Sequence, residues 1–152
     1  MNTSLQVTIA SRELLQKFIE NHTLEQLNTI PEGFKNNIIW NIGHVVVTQQ
    51  LLAYKLSGLS MMVTDEMVTK YQKGSAPQEN ISQEEVDAIK SLLFTTITKT
   101  QEDLENGLFQ NYMEYTVSTA NFTLKSIDDA MQFNNFHEGI HIGIIMQLRK
   151  FV

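Results

Sequence analysis

Only two prolines and seven glycines punctuate the 152 residues of this chain. Proline and glycine are the strongest local breakers of regular structure, and a fold of many short strands needs them at every turn. Long uninterrupted stretches therefore favour long helices, and the apolar spacing predicts four. The first runs from about Ser4 to Asn21, with Leu5, Ile9, Leu14, Leu15, Phe18 and Ile19 near helical spacing. His22-Thr23 begins a connector that ends at Ile30-Pro31-Glu32-Gly33. The second runs from about Asn36 to Ser57, with Gly58 as its C-terminal cap, and is apolar over so broad an arc that it should be central.

From Leu59 to Asn80 the pattern loosens. Thr64 to Lys70 can form a short helix before Gly74-Ser75-Ala76-Pro77, and the excursion is a candidate wall for a pocket. Ser82-Gln83-Glu84-Glu85 reads as a capping box that opens a third helix, which continues to Asn106-Gly107. Tyr112 to Leu124 is rich in Thr, Tyr and Val and should hold a short hairpin or an extended crossover. Ser126-Ile127-Asp128-Asp129 opens a fourth helix that ends in Arg149-Lys150, where basic residues complement the helix dipole. The expected architecture is an all-α four-helix bundle with long crossover connections, residues 1–152 forming one domain.

Composition narrows the functions open to such a bundle. Hydrophobic residues make up 42% and charged residues 18%, as in an ordinary globular protein. Eleven Lys plus Arg against seventeen Asp plus Glu give a net charge of -6, opposite in sign to a nucleic-acid-binding surface. There is no cysteine, so disulfides, thiolate ligands and a Cys nucleophile are excluded, and metal chemistry must use His, carboxylates or water. Met1 to Gln6 lacks the basic start and apolar core of a signal peptide. No apolar run approaches the roughly 20 residues that span a bilayer. A soluble, cytoplasmic protein without a membrane or nucleic-acid partner is expected.

Three of the four histidines fall inside predicted helices. His137 and His141 are four residues apart, so they share one helix face and can converge on one ion. His44 lies among Ile42, Val45 and Val46 on the helix expected to be central. Three neutral imidazoles with one open position are a common catalytic zinc arrangement. The competing reading is three core histidines satisfied by hydrogen bonds. His22, at a predicted helix end beside Thr23, is left outside the site.

His137-Glu138-Gly139-Ile140-His141 also matches H-E-x-x-H, in which the Glu is a general base. Only eleven residues follow His141, none of them Asp, Glu or His, so no later ligand completes an extended protease motif. Glu138 to His141 further fits the E-x-x-H of di-iron bundles, but the counterpart ending at His44 has Asn41 where an acid is required. A single ion is favoured. Glu138 is then a candidate proton acceptor, or a partner fixing a histidine tautomer, and Asn41, one turn before His44, is a second such partner. Trp40, Met61, Met62, Met67 and Tyr71 can line the mouth of the site. Gly139 and Gly143 lower helix propensity, which a close neighbouring backbone or relief of crowding beside the imidazoles would explain.

At these residues the chain resembles the DinB-like superfamily of metal-binding four-helix bundles, over nearly its whole length. Asn36 to Val45, containing Trp40 and His44, is similar to that family's W-x-x-x-H segment, and His137 to Gly143 to its H-x-x-x-H-x-G segment. Ile144 stands where many members carry Gln. The resemblance implies that His44, His137 and His141 bind zinc, nickel or a similar divalent ion, often in a homodimer. It also implies a range of activities that includes thiol-dependent S-transfer, so a low-molecular-weight thiol is a possible co-substrate.

Two functions from different classes follow. One is a metal-dependent transferase or hydrolase acting on a small molecule, the ion serving as Lewis acid or as activator of a thiol or water. The other is a non-catalytic, metal-stabilised binding or stress-response module.

Overall fold

The computed structural model describes residues 3–152. Met1 and Asn2, at the start of the segment read for a leader, lie outside the described residues. The first helix, α1 (Thr3–Glu20), buries Leu5, Thr8, Arg12, Leu15 and Ile19. Their three- and four-residue spacing makes one stripe.

The connector is not wholly irregular. Thr23 and Gln26 form a reciprocal capping box that opens a one-turn helix, α2 (Leu24–Asn28). Asn28 then ties distant segments, its amide donating to the Ile81 carbonyl at 3.1 Å and its Oδ1 accepting from the Ile81 N–H at 2.9 Å.

Asn37 caps α3 (Ile38–Ala53), its Oδ1 accepting from the Trp40 N–H at 2.8 Å. A bond of this kind contributes about 1 kcal/mol. Of the 16 residues of α3 only Thr48 and Leu51 escape burial. The central position expected for this segment is thus observed, although regular helix stops at Ala53. A 3-10 turn, Lys55–Ser57, follows and closes on Gly58 in a left-handed conformation (φ 72°).

Thr64 caps the short helix α4 (Asp65–Tyr71). Ser82 caps the long α5 (Gln83–Glu105) by accepting from the Glu85 N–H. The return half of the expected box is replaced by tertiary bonds. The Glu85 carboxylate turns to Lys70 Nζ (2.8 Å) and Tyr71 Oη (2.6 Å), pinning the end of α4 to the start of α5.

The Tyr112 to Leu124 stretch holds a hairpin, with β1 (Tyr115–Val117) antiparallel to β2 (Phe122–Leu124) and Val117 paired with Phe122. Asn121 takes a positive φ (49°) in its turn. Ser126 caps α6 (Ile127–Leu148), accepting from the Asp129 N–H at 3.1 Å.

The fold is all-helical in its frame, with α3 packed most extensively on α6, and α1 packed on α6 and α5. The main core lies around α3, where Ile38, Ile42, Val45 and Val46 are fully buried with Leu15, Ile89, Leu93 and Ile145 from the other three long helices. Among the described residues no helix is long and apolar enough to cross a membrane.

The glycines of α6 differ from expectation. A methyl group at Gly139 or Gly143 would meet nothing within 4 Å, so neither marks a close approach within the chain. The tight glycine is Gly43 in α3, where a Cβ would lie 2.6 Å from the Tyr71 ring.

Candidate metal centre

The α3–α6 contact brings His44, His137 and His141 together, with one candidate ligand nitrogen from each lying within 4.8 Å of the others. Their ring centroids are 4.5 to 5.0 Å apart, and the rings are tilted by 53° to 57°. Among the described residues no other His, Asp or Glu joins the group.

Neighbouring groups decide which nitrogen each ring can offer. His44 Nδ1 is 2.6 Å from the Tyr71 main-chain oxygen. A carbonyl only accepts, so Nδ1 carries the proton and Nε2 keeps its lone pair. Trp40 stacks on the His44 ring, at 4.9 Å and 11°, and donates its indole N–H to the Lys70 oxygen at 3.2 Å. The last turn of α4 thus fixes both aromatic rings. Gly43 allows that turn to sit against α3, and Glu85 holds it from the other side.

His141 Nδ1 is 2.7 Å from Asn41 Oδ1. The Asn41 amide nitrogen donates to Asn36 Oδ1 at 2.9 Å and to the Asn37 oxygen at 2.8 Å, which sets the orientation of its amide. His141 must therefore donate from Nδ1 and present Nε2. Asn41 thus serves His141 across the helix interface, whereas its sequence position had associated it with His44. An Asn41→Leu variant is expected to fold normally yet bind zinc about 10–100-fold more weakly, the usual effect of losing such a partner. Competition against a zinc-binding dye measures this, and unchanged affinity would mean that Asn41 does not control the ring.

His137 Nε2 lies 3.2 Å from His44 Nε2, while its Nδ1 is buried with no hydrogen-bond partner. Two nitrogens each about 2.0–2.1 Å from one ion at a near-tetrahedral angle are separated by about 3.3–3.4 Å. The observed spacing and the two fixed tautomers fit a divalent cation.

Burial disfavours the charged form of all three rings. It lowers the pKa of His44, with a smaller contribution from Lys73. Burial lowers His137 to about 3, with the other two histidines, Arg12 and Lys73 adding to the effect, and lowers His141 to about 3 with help from His44. Neutral imidazoles are the form that binds metal.

The rings open on a cavity of about 480 Å³. Its walls come from α3 and the following 3-10 turn, from Gln72, Lys73 and Gly74 after α4, from the hairpin, and from Phe133 and Ile140 of α6. The excursion after residue 59 is thus a wall, as expected. Of the residues expected at the mouth, Trp40 lines the cavity, Met61 and Met67 pack against the core, Met62 is exposed, and Tyr71 is buried behind His44.

Glu138 does not join the histidines. Its carboxylate is fully buried on the α1 side, held by Arg12 Nε (3.0 and 3.1 Å), Arg12 Nη2 (2.8 Å) and Asn134 Nδ2 (2.8 Å). One helical residue turns the side chain by about 100°, carrying Glu138 away from the face that His137 shares with His141. These contacts fit neither the proton acceptor nor the histidine partner expected at this position. His22 stands apart as expected, its Nδ1 2.7 Å from the Phe18 oxygen near the end of α1.

Sequence reasoning missed Arg12, the Tyr71 carbonyl and the lysines of the cavity. Arg12 had a signal, because it interrupts the buried stripe of α1 and so needed a partner.

A family model described as the DinB superfamily matches residues 8–145. A conserved protein from Enterococcus faecalis, known from a crystal structure, superposes with a TM-score of 0.65 at 14% identity, covering 100% of this chain and 98% of that one. At that identity the likeness concerns the fold. None of the curated proteins compared matches the chain.

Proposed function

The chain belongs to the DinB superfamily, and on that premise we propose that it is a metal-dependent enzyme, a transferase or hydrolase acting on a small molecule. His44, His137 and His141 hold one divalent ion, zinc or nickel. The observation that carries this reading is three orientable imidazole nitrogens converging on the wall of a cavity large enough for a substrate. When bound, the ion supplies Lewis acidity toward a carbonyl, phosphoryl or thiol group. The residues of the chain do the rest. The Tyr71 carbonyl and Asn41 keep two lone pairs aimed inward, Trp40 backs His44, and the apolar walls exclude water from a bound substrate. A low-molecular-weight thiol would enter as co-substrate through the same cavity.

Cobalt-substituted protein tests the reading. Three protein ligands predict visible absorption that shifts when a small thiol or azide is added. A spectrum indifferent to both indicates a closed coordination shell, as in a purely structural site.

The assembly we propose is a homodimer through the outer face of α6. Phe136, Gly139, Gly143 and Met146 are exposed there at helical spacing with no charge among them. Sedimentation is expected to give twice the 17.4 kDa chain mass, and Gly143→Glu to return it to 17.4 kDa. A wild-type mass of 17.4 kDa at micromolar concentration contradicts the dimer.

A further inference from the structure

The charge lining the cavity is opposite in sign to that of the chain. Seventeen acidic side chains outnumber eleven basic ones overall, yet the cavity is lined by Lys55 and Lys73 and by no Asp or Glu. Neither lysine takes part in an ion pair among the described residues. Lys55 belongs to the 3-10 turn after α3. Lys73 follows α4 and reaches the hairpin, where its ammonium donates to Ser118 Oγ, a neutral partner. Thr119, the next residue, lines the cavity as well. Leu51, Leu52, Leu56, Val117 and Phe133 give the same cavity an apolar wall. Both lysines are exposed, and two cations without an acidic partner on a cavity with an apolar wall favour an anionic ligand over a neutral one.

We propose that the cavity takes a small organic anion with an apolar body, a carboxylate or a phosphate monoester, whose charged end is received by Lys55, Lys73 and the Ser118 hydroxyl. The apolar body lies against the leucines, within the cavity that the three histidines also line. This rests on the reading of the cavity as the substrate site and deepens it by naming the ligand's charge and shape. Lys55 and Lys73 are specificity residues in this scheme, and metal binding does not require them.

Trp40 is the only tryptophan of the chain and lines the cavity, so its fluorescence reports occupancy with or without metal. Hexanoate, hexyl phosphate and 1-hexanol share one apolar chain and differ at the head. Each is titrated into zinc-loaded and chelator-treated protein, with zinc content measured separately. The expected result is that at least one anion binds about 10-fold or more tightly than hexanol in both forms, as charge-assisted hydrogen bonds provide. That preference should shrink with added salt. The anion that gains more assigns the head as phosphate or carboxylate. Replacing both lysines, Lys55→Gln with Lys73→Gln, should bring anions and hexanol to parity while zinc binding persists. Equal binding of all three probes by the wild type overturns the proposal. So does an anion preference that appears only with zinc and survives the double replacement, since the ion would then hold the anion. Failure to take up zinc would instead count against the metal centre and leave the chelator-treated titration readable.

Discussion

Glu138→Ala is expected to destabilise the protein by about 3–5 kcal/mol, because it leaves the Arg12 guanidinium buried without its counter-charge. That is a large fraction of the roughly 5–15 kcal/mol that holds a typical domain together. Arg12→Ala should cost a similar amount by orphaning the carboxylate. Replacing both, Arg12→Leu with Glu138→Leu, removes the two charges together and should recover most of the loss, since a buried ion pair repays little beyond its own desolvation. Urea unfolding of the three variants compares these losses. If Glu138→Gln instead left stability unchanged and abolished an assayed turnover, the carboxylate would be acting in chemistry and not in the α1–α6 contact.

Acid should act through the histidine cluster. The folded-state pKa values of His137 and His141 lie near 3, below the unfolded value of about 6.5, so the unfolded chain takes up more protons between these limits. Their contribution to stability is complete above about pH 6.5 and is lost as the pH falls toward 3. The groups that face the two rings act in the same direction, namely His44 from α3, Arg12 from α1 and Lys73 after α4. Metal-free protein is therefore expected to lose up to about 1.4 kcal/mol per pH unit for each of the two histidines between pH 6 and 4. Urea midpoints at pH 7, 6, 5 and 4 test this against the double variant His137→Gln with His141→Gln, whose profile should be flatter. Parallel profiles would show that the rings do not stay neutral in the folded state. Zinc should raise the wild-type midpoints, since it binds the folded form with neutral rings.

These expectations also show which features are local in origin. The starts of α5 and α6 were legible because Ser82 and Ser126 cap through their own side chains within three residues. The histidine cluster was legible because i,i+4 spacing alone places His137 beside His141, and the continuous apolar character of α3 marked it as the buried neighbour that brings His44. What the sequence did not disclose depends on contacts across the fold. The tautomer of His44 is set by a main-chain carbonyl 27 residues away, which no side-chain pattern encodes. The Ser82 box looked reciprocal, yet Glu85 bonds Lys70 and Tyr71 because α4 folds back within reach. The one-turn helix at Leu24 was too short for periodicity to reveal, although Thr23 and Gln26 carried its cap. Glu138 was misread because H-E-x-x-H spacing describes one helix, while the direction in which the middle residues face depends on what packs there, and here it is Arg12.

Three histidines from two helices are proposed to hold one ion. Elemental analysis of protein purified without an affinity tag or chelator tests it most directly, with zinc, nickel and other divalent metals counted per chain. The expected result is close to one ion per chain in the wild type and in His22→Ala. In His44→Ala, His137→Ala and His141→Ala the ion should be largely lost, because removing a ligand costs more than the roughly 10–100-fold that follows loss of a supporting residue. A wild-type protein that stays metal-free after incubation with zinc or nickel, or a His44→Ala variant that binds as the wild type does, would contradict the account.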